Sequence, residues 1–105
     1  MDPAFLDMLL DRLRLRPYLD TLVGELSGGT YQKVKFATLA LHRPDLLVLH
    51  EPCDGFDWAM YQVFWEVVES LRAQRTSVLM ISHLLHERHR FGRILEMRAG
   101  AIHEA

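Results

Sequence analysis

Leu26-Ser27-Gly28-Gly29-Thr30-Tyr31-Gln32-Lys33-Val34 is the stretch from which the rest of the chain is read. Ser27 is a residue type that caps helices by accepting a hydrogen bond from a first-turn N–H. Two glycines follow, then Thr30, Gln32 and good helix formers through Ala40 and Leu41, which predicts a helix from about Gly28 to Leu41. The first turn of such a helix carries N–H groups without intrahelical partners and the positive end of the dipole. Gly28 and Gly29 have no side chains, so an anion can approach the backbone closely. These are the physical requirements of a phosphate-binding helix terminus. Taken alone, Ser-Gly-Gly also fits an ordinary capped helix after a glycine turn.

Downstream, Pro44 and Asp45 end the helix, and Leu46-Leu47-Val48-Leu49 is a continuous apolar run closing on His50-Glu51-Pro52. An apolar run with helices on both sides in sequence reads as a buried parallel strand. Glu51 then stands at the carboxyl end of a strand, where open α/β sheets place their ligands. Pro52 to Phe56 reads as a loop, and Asp57 as the cap of a helix from Trp58 to about Gln74. Its apolar face carries Met60, Val63, Phe64, Val67, Val68 and Leu71. Val78 to Ile81 reads as a second buried strand, completing a right-handed βαβ unit. A short helix is expected over Leu84 to Arg90, and a terminal hairpin with strands Ile94–Met97 and Ala101–His103 around Ala99-Gly100. Ahead of the signature stretch, Asp2-Pro3 predicts a helix start and Phe5, Leu6, Leu9, Leu10 and Leu13 recur at helical spacing. That helix is to end before Pro17, with a helical turn over Tyr18 to Leu22.

In this order the motifs resemble the C-terminal half of an ABC-transporter ATP-binding domain. Leu26 to Gln32 match the family signature, Leu46 to Pro52 the Walker B strand, Gly55-Phe56-Asp57 the D-loop, and Ser82-His83 the switch histidine. The resemblance implies an α/β fold, part of a P-loop NTPase fold, with parallel strands flanked by helices and a small C-terminal hairpin. It divides the chain into the end of a helical subdomain (1–25), the signature helix (26–43) and a Walker B-to-hairpin segment (44–105).

The resemblance also implies roles. Ser27, Gly28, Gly29, Thr30 and Gln32 would contact the γ-phosphate of an ATP held by the opposite subunit. Thr30 stands where the family usually carries Gln and still offers a hydroxyl. Glu51 would be the carboxylate that polarises the attacking water, with a pKa suited to a general base. His83 would contact the γ-phosphate, and Asp57 would reach across a dimer interface while also capping its helix. His50 replaces the Asp that orients Mg²⁺ in the family. Mg²⁺ prefers oxygen ligands, so Mg²⁺-dependent hydrolysis is expected to be weakened. The spacing of His83, His86 and His89 does not put all three on one helix face, and no metal site is expected there.

No G-x-x-x-x-G-K-[ST] stretch occurs in the 105 residues, so the Walker A strand, its loop and the Q-loop would lie upstream of Met1. The Val78 strand then lacks one neighbour, and a marginally stable, aggregation-prone or partner-completed chain is expected. The implied partners are a second ABC ATPase domain and a transmembrane permease, with the chain cytoplasmic and peripheral at the inner face of the membrane. A formal net charge of -2 gives no nucleic-acid footprint. No apolar stretch nears the roughly 18 residues of a membrane span. The single Cys53 fits a reducing compartment, and the Met1-Asp2-Pro3 start has no basic region of a leader. Two other readings stay open: a split or degenerate ABC module that is not catalytic and binds ATP only with a partner, and a soluble ABC protein of the repair or translation type.

Overall fold

Asp2 accepts a hydrogen bond from the Ala4 N–H at 2.9 Å and, with Pro3 in the first helical position, starts helix α1 (Pro3–Arg12). The computed structural model describes residues 2–83 and 85–105. After α1 the chain reverses through Arg14, which sits in the left-handed region at φ 56°. The expected turn over Tyr18 to Leu22 lies earlier, as a 3₁₀ turn at Arg16–Tyr18 that takes Pro17 in its first turn. A second 3₁₀ turn, Val23–Glu25, leads into α2 (Gly28–Leu41). Strand β1 (Leu46–His50), helix α3 (Trp58–Ala73) and strand β2 (Ser77–Ile81) follow, and β1 and β2 pair in parallel from Leu46–Ser77 to His50–Ile81.

The expected helix over Leu84 to Arg90 begins on Leu84, which lies outside the described residues. Among the described residues from Leu85 to Arg90, the chain forms only a 3₁₀ turn, Arg88–Arg90. So short a segment gains little from helical bonds. Its side chains are drawn individually onto α3, with His86 edge-on to Tyr61 and Arg90 over the Trp65 ring. Strands β3 (Leu95–Arg98) and β4 (Ala101–Glu104) form the antiparallel hairpin. Ala99 and Gly100 both take positive φ, the geometry a two-residue hairpin turn requires.

One core joins α1, α2, β1 and α3, while every residue of β3 and β4 is exposed. Leu9 and Leu13 from the α1 region, Phe36 of α2, Leu47 and Leu49 of β1, and Phe64 and Leu71 of α3 are all buried in it. The Phe36 and Phe64 rings lie 4.8 Å apart at its centre. Each such side chain contributes about 1.5–3 kcal/mol through removal from water. α3 buries the expected stripe and adds Trp65, while Val63 is only partly covered.

The strands depart from expectation. The β1 run is buried on one face only: Leu47 and Leu49 point inward, whereas Leu46 is 58% and Val48 49% exposed. On β2, Leu79 and Ile81 are exposed on alternate positions in the same way. The helices pack on one side of the pair, and among the described residues nothing covers the other. β2 pairs only with β1 among the described residues, so its far edge is also open. Open apolar faces and edges favour association. A Val48→Lys, Leu79→Lys double variant is therefore expected to lower self-association about tenfold in sedimentation experiments. Unchanged association would show that this face is not responsible.

Candidate functional site

Two clefts meet at the loop between β1 and α3. The first lies at the N-terminus of α2. The Ser27 hydroxyl accepts from the Thr30 N–H at 3.2 Å and donates to the Thr30 hydroxyl at 2.9 Å, which fixes the first turn. Thr30 is buried, lines the cleft and accepts from the Ser27 hydroxyl through its own. Ser27 and Gly28 are exposed. Gly29 lies against the loop: a Cβ there would come within 3.1 Å of the Gly55 carbonyl oxygen. Gly55 has φ 82°, a conformation that glycine adopts without strain. Asp57 caps α3, accepting from the Met60 N–H at 2.8 Å, and also lines this cleft of about 260 Å³.

Two cations flank the same cleft, Arg14 and Lys33. Partial burial, and then the nearby Arg14 charge, lower the Lys33 pKa. A helix N-terminus with two basic side chains beside it suits an anion. Arg14 carries no sequence signal. It reaches the cleft only because the chain turns left-handed after α1.

The second cleft, of about 240 Å³, lies at the carboxyl ends of β1 and β2. Glu51 follows β1 directly, and its N–H donates to the Ile81 carbonyl at 2.8 Å, extending the ladder by one bond. Its carboxylate accepts from the His83 N–H at 2.9 Å, His83 Nδ1 at 2.7 Å and the Ser82 hydroxyl at 3.2 Å. A carboxylate only accepts, so Nδ1 carries the proton. The Glu51 and His83 expected from sequence are thus brought together.

The electrostatics of the pair follow from these bonds. The His83 side chain above all, helped by the backbone and Ser82 bonds and opposed by burial, holds the Glu51 carboxyl below the usual range. Glu51 in turn raises the His83 pKa. While His83 engages it, the hydrogen-bond donors stabilise the anion and outweigh the upward push of burial.

Gln32 belongs with this second group. Its side-chain amide does not line the α2 cleft but donates to the Glu51 carbonyl at 2.8 Å. His50 is exposed and on the same strand face as Leu46 and Val48. Among the described residues, no group of three or more His, Cys, Asp or Glu side chains stands close enough to hold a metal. An exposed imidazole is a poor ligand for Mg²⁺, and the residues present do not fit that ion. Cys53 lines the second cleft, but burial pushes its thiol up to about 12, and it is no nucleophile near neutral pH.

The fold and sites define an α/β protein with a cleft at a capped helix terminus and a strand-end Glu–His pair, joined by one loop. No family model matches the sequence. It is 36% identical over 87 residues to the Nod factor export ATP-binding protein I of Burkholderia pseudomallei, covering 83% of this chain and 29% of that protein. It is 36% identical over 83 residues to the zinc uptake system ATP-binding protein ZurA of Listeria innocua, covering 78% and 32%. With the ABC transporter ATP-binding protein NatA of Bacillus subtilis it shares 32% over 84 residues, covering 80% and 34%. The chain is a homologue of the ABC transporter ATP-binding proteins, and it spans about a third of the length of these relatives.

Proposed function

We propose that this chain supplies two half-sites to ATP bound at the interface of a pair of ABC ATPase domains. The α2 terminus, through Ser27, Gly28 and Gly29 with Thr30 bracing Ser27, faces the γ-phosphate of a nucleotide held by the other domain. Asp57 stands beside it at the interface. On its own side, Glu51 directs the attacking water and His83 holds Glu51 until the γ-phosphate takes its place as hydrogen-bond partner. The supporting observation is the bonding of Glu51 to both the N–H and the ring of His83 at the ends of two paired strands. The naming of its relatives as transporter ATP-binding proteins supports a permease partner and a place at the inner face of the membrane. No helix among the described residues is long and apolar enough to cross a membrane.

A second reading has specific support. The 105 residues hold no phosphate loop, and His50 stands where the family has Asp. On that reading the chain binds ATP only when another segment or chain grips the triphosphate, and its own carboxylate turns over slowly. Titration of ATP into the chain alone is expected to show no binding tighter than millimolar. A phosphate-loop domain added with ATP is expected to associate with it. Micromolar binding by the chain alone would overturn the division of labour. In the assembled pair, His50→Asp is expected to raise turnover at least tenfold. Unchanged turnover would remove position 50 as the cause of weakness.

A further inference from the structure

Glu51 occupies the left-handed region at φ 46°, although it is not glycine. L-residues adopt that region only when their surroundings hold them there, and such positions concentrate at functional sites. The flip re-aims the side chain at the strand end, and its restraints are visible. The Glu51 N–H donates to Ile81, its carbonyl accepts from the Asp54 N–H at 3.3 Å in the following turn, and the carboxylate is held by Ser82 and His83. Gln32 adds the remaining bond, at 2.8 Å to the same carbonyl, from nineteen residues away on α2. One helical turn earlier, Gly29 lies in contact with Gly55. The loop that carries Glu51 is therefore fastened to the first turns of α2 at two points.

We propose that Gln32 is a positioning residue, holding the strained Glu51 backbone so that the carboxylate meets His83, and tying Glu51 to the helix whose N-terminus faces the other nucleotide. Gln32 touches no reacting atom. It acts on the Glu51 peptide, and a shift of α2 on anion binding moves that peptide with it. The inference rests on the reading of Glu51 as the water-directing carboxylate, but its test needs no nucleotide.

The test is the NMR titration of the His83 ring in the full chain, because that ring reports its distance from Glu51. Glu51 is the carboxylate that chiefly raises its pKa, with Asp54 contributing from further off. Glu51→Gln sets the full size of the effect. Gln32→Met, which keeps length and removes the donor, is expected to move the His83 midpoint at least half as far in the same direction, while the other histidines serve as internal references. Gln32→Lys, which restores a donor of similar reach, is expected to recover most of the shift. A folded Gln32→Met chain with an unmoved His83 midpoint overturns the proposal. Should Gln32→Met fail to fold, the Gln32→Met, Glu51→Gly double variant decides, since glycine adopts the positive φ unaided. Recovery of the fold supports the proposal, and continued failure overturns it. Either negative result leaves the ATP reading standing, and failure of ATP-driven association leaves the Gln32 result standing.

Discussion

Glu51→Gln is expected to lower ATP turnover by about two to four orders of magnitude in a pair assembled with a phosphate-loop domain, the range that a positioned general base contributes. Glutamine keeps the length of the side chain and its capacity to accept from the His83 N–H, but it cannot take a proton from water. ATP-driven association should survive, because Ser27 and Gly29, proposed to face the nucleotide across the interface, line the other cleft. Single-turnover measurement of phosphate release checks this. A loss of less than tenfold would reassign the chemistry to another group.

The same substitution has a pH signature. The folded-state pKa of Glu51 lies below its ordinary 4.5, so its contribution to stability is present above that value and is lost as pH falls through the folded pKa. The His83 pKa lies above its ordinary 6.5, so its contribution is complete below that value and is lost as pH rises through the folded pKa. Both contributions coexist between about 4.5 and 6.5. The stability difference between the parent and Glu51→Gln should be largest there and shrink towards alkaline pH. A difference that grew above neutrality would contradict the pairing.

Gly29→Asp is expected to reduce ATP-driven association at least a hundredfold. Its Cβ would meet the Gly55 carbonyl oxygen at 3.1 Å, which displaces the loop or the helix. Its charge would occupy the position proposed for the phosphate. An acidic residue in the first turn is itself favourable to a helix by about 0.3–1 kcal/mol, so repulsion of the ligand is not confused with loss of the helix. Gly28→Ala separates the two effects further. No atom lies within 4 Å of a Cβ at position 28. Alanine there should stabilise the fold by up to roughly 1 kcal/mol while obstructing the anion. Denaturation midpoints and co-sedimentation with the ATP-loaded partner read the two quantities separately. Full association of Gly29→Asp would remove this terminus from the nucleotide site.

Much of this was legible in the residues. Ser27 and Asp57 are caps whose chemistry acts over three residues, and both make the expected bonds, so α2 and the start of α3 fell where the sequence placed them. Glu51 and His83 were placed by strand ends, and parallel pairing brings those ends together. The rest depends on contacts distant in sequence. An apolar run such as Leu46 to Leu49 reads alike whether one face is covered or two. The exposure of Val48 and Leu79 was therefore not predictable from it. Nothing in Glu51-Pro52 signals a positive φ, and the Gln32 bond that accompanies it spans nineteen residues. Arg14 enters its cleft through a backbone reversal that its own residue type does not favour.

The most direct test follows the backbone amides of Gly28 and Gly29 by NMR during addition of ATP and then of a phosphate-loop domain. Both resonances are expected to stay in place with ATP alone and to move when the loaded partner arrives. Movement with ATP alone, or movement at Glu51 and His83 with the two glycines unchanged, would contradict a helix terminus that faces a nucleotide gripped elsewhere.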